Sequence, residues 1–103
     1  MEQKIRNIDL EIPVKENGEV NFYKLESDLG RFLCNNPENA YVNVLGKDKF
    51  LAKEVRDNLQ SSFDYKILGI GKRSNNYLIK VGASNFTRET WFINNERSWE
   101  QKI

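Results

Sequence analysis

The sequence predicts an α+β two-layer sandwich, in which helices pack on one face of a β-sheet. Two observations carry this prediction. Segments whose apolar residues alternate with a period of two, as in half-buried strands, are interleaved with segments whose apolar residues recur every three or four positions, as in helices. The length of 103 residues, with 39% hydrophobic residues, fits one domain over 1–103. The predicted order is β-α-β-α-β-β-β, and residues 94–103 form a flexible or docking tail.

The first strand and helix lie in the first third of the chain. Residues Ile8 to Val14 alternate between apolar and polar, and Pro13, which has no N–H to donate, places this strand at a sheet edge. Asn17-Gly18 predicts a turn, and Asn21 is the expected N-cap of a helix that ends before Pro37. The apolar face of this helix consists of Phe22, Leu25, Leu29, Phe32 and Leu33.

The remaining elements follow from the same periodicities. A strand is predicted over Tyr41–Leu45, and a helix from about Asp48 to Ser61. Strands over Tyr65–Gly71 and Tyr77–Val81, joined by a polar segment, predict a β-hairpin, and Thr87–Ile93 predicts a fifth strand. The core face of the second helix consists of Leu51, Val55 and Leu59.

Missing residue types exclude several chemistries. The chain contains no histidine, so Ser-His and Cys-His catalysis and imidazole metal sites are excluded. The single Cys34 follows Phe32 and Leu33, which predicts a buried thiol that behaves as a small hydrophobe. Since the first ten residues contain no secretory apolar stretch, we expect a cytoplasmic protein without a membrane partner. We also expect no enzymatic activity, no metal and no cofactor.

Two glycine-containing segments share part of the pattern of a phosphate-binding loop. Gly46-Lys47 lies between a strand and a helix, as a P-loop lysine does, but Tyr41 and Asp48 replace the first glycine and the magnesium-binding hydroxyl. Gly69 and Gly71 lack the third glycine of a dinucleotide fingerprint. The first pattern therefore does not predict nucleotide hydrolysis, and the second predicts a bulge or bend in the third strand.

Charge is unevenly distributed along the chain, although the net charge is only +1. Residues 1–46 hold five basic and eight acidic side chains, and residues 83–103 hold three of each. Residues 47–82 hold eight basic and four acidic side chains, so the middle of the chain is its basic part. The same part contains the second helix and the predicted hairpin.

The basic middle predicts nucleic-acid binding, with DNA as the first expectation and RNA as the alternative. Phosphate contacts are predicted from the start and exposed stripe of the second helix, and groove contacts from the hairpin tip. The alternative is an ordinary solvated surface, since cations opposite an apolar helix face are common. The predicted phosphate contacts are Lys47, Lys49, Lys53 and Arg56, and the predicted groove contacts are Lys72, Arg73, Asn75 and Asn76.

Large apolar side chains near the chain end provide a second functional hypothesis. Trp91, Phe92 and Trp99 on an edge strand and the tail predict a surface that binds a partner protein or forms a homodimer. The chain would then be an adaptor, an inhibitor or a dimerisation module. The alternative is that Trp91 faces the core and Trp99 covers it.

In outline, residues 41–82, a helix followed by a hairpin with a basic tip, resemble both winged-helix proteins and the Alba family. The resemblance implies nucleic-acid binding through these elements and makes a winged-helix-like fold the alternative. The span Lys47 to Phe63 is too short for the two helices of a helix-turn-helix. The fifth strand and the aromatic tail are additions to the Alba outline.

Overall fold

The computed structural model describes residues 6–34 and 40–86. The predicted fifth strand, Thr87–Ile93, and the tail 94–103 lie outside the described residues. Within them the chain forms four strands and two helices, which confirms the α+β two-layer class. The elements are β1 (Arg6–Glu11), α1 (Phe22–Leu33), β2 (Ala40–Gly46), α2 (Lys49–Gln60), β3 (Tyr65–Arg73) and β4 (Asn76–Ala83).

The four strands form one mixed sheet in the order β1-β2-β4-β3. β1 pairs parallel with β2, and β4 is antiparallel to both of its neighbours, β2 and β3. β1 lies at an edge, as Pro13 predicts. Because β1, β2 and β3 point the same way, the starts of both helices and the β3–β4 turn lie at one end of the sheet. We call this end, with the last residue of β2, the start of α2 and the β3–β4 turn, the hairpin end.

The hydrophobic core lies between the two helices and one face of the sheet. The residues that the helical period predicts for the two core faces pack there, either fully buried or, for Phe22, Phe32 and Leu51, partly buried. The strand residues that face the helices alternate along β2 and β4, because successive side chains of a strand point to opposite faces. The fully buried set includes Leu25, Leu29 and Leu33 of α1, Ala52, Val55 and Leu59 of α2, Ala40, Val42 and Val44 of β2, and Ile79 and Val81 of β4.

Local signals fix where the helices begin. The Asn21 side chain accepts a hydrogen bond from the Lys24 N–H at 3.1 Å, so Asn21 is the N-cap of α1 as predicted. The Asn17-Gly18 turn is also present, with Gly18 at φ +90°.

The prediction of a buried Cys34 is wrong, because this thiol is exposed. Cys34 is the C-cap of α1, one position past the buried Leu33, and therefore points away from the core.

The hairpin is longer and its loop shorter than the sequence predicts. β3 continues to Arg73 and β4 begins at Asn76, so the loop contains only Ser74 and Asn75. Ser74 has φ 54°, and positive φ at the first loop residue is typical of two-residue hairpin turns. The register shifts between Ile67 and Gly69, which is the irregularity that the glycines of β3 predict.

The arrangement of the helices differs from a helix-turn-helix. β2 separates α1 from α2 along the chain and pairs within the sheet, so each helix packs on strands rather than on a second helix across a short turn. Neither of the two helices in the described ranges is long and apolar enough to cross a membrane.

Candidate nucleic-acid interface

Strand pairing brings two basic segments together at the hairpin end. Tyr77 of β4 pairs with Gly46 of β2 on one side and with Lys72 of β3 on the other. Two inter-strand spacings separate Gly46 from Lys72, which is roughly 10 Å. Lys47 and the first turn of α2 follow Gly46 directly, so lysines that are distant in sequence become neighbours in space.

The start of α2 contributes three exposed lysines. Lys47 precedes the helix, Lys49 is its first residue, and Lys53 lies one turn further along. Side chains four positions apart lie on the same helix face, about 5–6 Å apart at their Cβ atoms. The lysines that the helical wheel predicts on one exposed stripe are therefore adjacent in the fold.

Asp48 determines how this helix end can hold an anion. Its carboxylate accepts hydrogen bonds from the N–H groups of Phe50 at 2.8 Å and Leu51 at 3.2 Å. Asp48 is thus the N-cap of α2 and satisfies two of the amides that a phosphate would otherwise bind. Anion binding at this end of α2 would depend on lysine side chains rather than on backbone amides.

Lys72 and Arg73, which the sequence groups together, lie on opposite faces of the sheet. Lys72 lies on the helix side, where its Nζ is 4.9 Å from the centroid of the Tyr77 ring. Arg73 is the next residue of the strand and points to the other face. Asn75 is exposed in the loop, and Asn76 is the first residue of β4.

Arg73 belongs to a polar network that crosses the sheet. Its Nη1 donates to Oδ2 of Asp9 at 2.9 Å, and Nδ2 of Asn43 donates to Oδ1 of Asp9 at 3.0 Å and to Oδ1 of Asn7 at 3.3 Å. The hydrogen bonds from Asn43 and Arg73 hold the pKa of Asp9 below its usual value. The charge of Arg73 is therefore partnered within the protein.

Arg56 also has an acidic neighbour. Its Nε lies 2.7 Å from Oδ1 of Asp57, and only 17% of its side chain is exposed. This ion pair reduces the contribution of Arg56 to the basic stripe of α2. Of the predicted cations, Arg56 and Arg73 are paired with acids. Lys47, Lys49, Lys53 and Lys72 lie at the hairpin end, where they form no ion pair with an acid among residues 6–34 and 40–86.

A pocket of about 280 Å³ opens at the junction of β1, β2, α2 and the hairpin. It lies beyond the carboxyl ends of the parallel strands, where ligands commonly bind in sheets with parallel strands. Its wall is apolar along Ile12, Val14, Leu45 and Leu51, with Glu11, Lys47, Asp48 and Asn76 as polar groups. Gly46 also lines it, and a Cβ at Gly46 would lie 2.6 Å from Cδ1 of Ile12.

Phe50 is a site residue that the sequence analysis missed. The side chain is 81% exposed in the first turn of α2, directly after Lys49 and three positions before Lys53. A helical wheel contains the signal, since Phe50 is an apolar residue on the polar side of α2. Phe63, just beyond the other end of α2, is 96% exposed and has no lysine next to it in sequence.

Comparisons of the chain with protein-family models, with curated proteins and with solved structures find no match. Its function must therefore be inferred from the side chains at the hairpin end.

Trp91, Phe92 and Trp99, the residues of the predicted partner or dimer interface, lie outside the described residues. The structure does describe three aromatic residues on β3, on β4 and after β4. Tyr65 and Tyr77 pack against the core, and Phe86 is fully buried.

Proposed function

We propose that this protein binds nucleic acid through the hairpin end. The observation that carries the proposal is the pairing of Tyr77 with both Gly46 and Lys72, which makes neighbours of lysines from α2 and from the hairpin. Lys47, Lys49, Lys53 and Lys72 contact backbone phosphates, because long flexible cations suit phosphate oxygens. Arg56 and Arg73 remain with their acidic partners.

The exposed ring of Phe50 favours a single strand as the ligand. An aromatic side chain among lysines is the arrangement by which proteins bind single-stranded nucleic acid, since a base stacks on the ring while cations hold the backbone. A paired base within a duplex does not offer its face to Phe50. Asn75 and Asn76 lie beside this surface, where their amides can hydrogen-bond to base edges or sugars.

The proposal is tested by fluorescence anisotropy with labelled oligonucleotides, single-stranded and duplex, at two salt concentrations. Phe50→Ala should weaken single-strand binding by about 1–3 kcal/mol, the usual contribution of one stacked base, and should leave duplex binding nearly unchanged. Phe63→Ala removes an equally exposed ring from the other end of α2 and is the matched control, for which we expect no change.

A second pair of variants separates the two faces of the hairpin. Lys72→Ala should weaken binding and reduce its salt dependence, because a phosphate contact is lost. Arg73→Ala should leave the affinity unchanged when the fold is intact. Equal losses from Phe50→Ala and Phe63→Ala, or a loss from Arg73→Ala alone, would contradict the proposed site.

A further inference from the structure

The face of the sheet opposite the helices, which we call the second face, contains residues that are shielded from water. Asn43 and Leu78 are 2% and 1% exposed, and Phe86, which follows β4, is fully buried. Both helices pack on the other face, so they do not account for this burial. A sheet face that is open to solvent leaves its central side chains in contact with water. The second face is therefore covered.

Described residues form part of the cover. Arg73 on β3 reaches Asp9 on β1 and so spans β4 and β2, at the half of the face nearer the hairpin. At the other half, Cβ and Cγ of Phe86 lie 3.3 Å from the position that a Cβ on Gly82 would occupy, and Cδ1 of Leu68 lies 3.0 Å from it. The sheet covers only one side of the Phe86 ring, so its complete burial requires contacts on the outer side as well.

A polar group on the same face gives independent information about the cover. Oδ1 of Asn43 is buried and accepts no hydrogen bond from the described residues, although Nδ2 of the same side chain donates twice. A buried acceptor without a donor is unfavourable. The cover must therefore present apolar surface over Leu78 and Phe86 and an N–H or O–H donor near Asn43.

We propose that residues 87–103 of the same chain dock on the second face. This segment begins directly after Phe86, whose ring already lies there. In extended form it reaches roughly 55 Å, whereas the four strands are only about 15 Å across. It carries Trp91, Phe92 and Trp99, which supply apolar area, and both indoles have an N–H that suits Oδ1 of Asn43.

Intrinsic tryptophan fluorescence tests the docking directly, since Trp91 and Trp99 are the two tryptophans of the chain. In the full-length protein we expect blue-shifted emission and weak quenching by acrylamide, both lost on unfolding. Leu68→Lys places a charge on the second face and should raise the quenching constant several-fold with the circular dichroism spectrum retained. Tyr23→Lys changes an exposed residue in the helix layer and should leave quenching as in the wild type.

Two results would overturn the inference. The first is quenching in the native protein as strong as in the unfolded chain, which would show that the tryptophans are not covered. The second is protection that disappears on dilution together with a dimer-to-monomer change in size-exclusion chromatography, because a second copy would then be the cover. If Leu68→Lys unfolds the protein, Trp91→Phe and Trp99→Phe each leave one tryptophan, whose quenching is then measured separately without a change in the sheet. Loss of oligonucleotide binding would not affect any of these measurements.

Discussion

At the scale of single residues, the interaction between Asp9 and Arg73 determines what the hairpin arginine can do. Both side chains are about half exposed, at 54% and 43%, so the pair itself stabilises the fold by no more than about 1 kcal/mol. Its larger effect is on the orientation of the Arg73 side chain. A guanidinium that donates to Asp9 is directed across the sheet and away from the side on which Lys72 lies.

The hydrogen bonds that Asp9 accepts from Asn43 and Arg73 make the unfolding free energy depend on pH. The folded protein holds the pKa of Asp9 below its unfolded value, so the stabilisation is complete above the unfolded pKa and is lost as the pH falls through the folded one. We predict that Asp9→Asn lowers the unfolding free energy by less than about 1 kcal/mol at neutral pH. The difference from wild type should shrink below about pH 5.

Urea titrations at a series of pH values measure this effect. The Arg73→Gln variant and the double variant complete a cycle, and the coupling energy should decline over the same acidic range. Glu16→Gln changes an exposed carboxylate in the turn after β1 and is the control. A constant difference between Asp9→Asn and wild type from neutral to acidic pH would show that ionisation of Asp9 is not what stabilises the network.

Side chains along a strand alternate between its two faces. This alternation explains why Lys72 and Arg73 could be identified from the sequence, whereas their different roles could not. The sequence predicts a loop at both positions, where neighbouring side chains have no fixed orientation relative to each other. Once β3 extends through both positions, they must face opposite ways. The partner of Arg73, Asp9, is 64 positions away, and no local pattern predicts that contact.

At the scale of elements, helix boundaries and core faces were predictable because their causes are local. Asn21 and Asp48 cap the helices from adjacent positions, and the spacing of the leucines sets the buried faces. The length of the hairpin was not predictable in the same way. Polar residues 72–76 read as a loop, but pairing of Lys72 with Tyr77 and of Arg73 with Asn76 extends the strands. Such pairing depends on the register between β3 and β4, which the turn residues alone do not reveal.

Gly46, the last residue of β2, has no space for a side chain. A Cβ at this position would lie 2.6 Å from Cδ1 and 3.4 Å from Cγ1 of Ile12, which is buried. We predict that Gly46→Ala lowers the unfolding free energy by about 1–3 kcal/mol, because Ile12 must shift within packed surroundings.

Removing the obstructing methyl group should reverse part of this effect. Ile12→Val alone should cost about 0.5–1.5 kcal/mol, and the double variant should be more stable than the sum of the two single changes, since the two sites are in contact. Chemical denaturation of the four proteins of this cycle measures the coupling. Strict additivity would mean that contact with Ile12 does not set the cost of Gly46→Ala.

At the scale of the whole molecule, the net charge is only +1, but basic side chains are in excess in the middle of the chain. Ion pairs in the fold then reduce the number of these cations that are unpaired with acids. Residues 47–82 carry four more basic than acidic side chains, but Arg56 and Arg73 are paired with Asp57 and Asp9. The field at the hairpin end therefore depends on its lysines. The excess of basic residues could be located from the sequence. The tertiary contacts are needed to identify which of these residues are paired with acids.

This separation predicts the salt dependence of binding. Four lysine–phosphate contacts on a single strand should give a slope of log K against log salt of about −2.8, because each contact releases condensed counterions. Arg56→Gln with Arg73→Gln should leave that slope unchanged, whereas Lys47→Ala with Lys49→Ala should reduce it by about 1.4. Titrations of a labelled single-stranded oligonucleotide across a range of sodium chloride concentrations measure both values, with circular dichroism as the check on folding. A slope near zero in the wild type would exclude phosphate binding, and a reduced slope in the arginine variant would mean that the ligand displaces Asp9 or Asp57 from its partner.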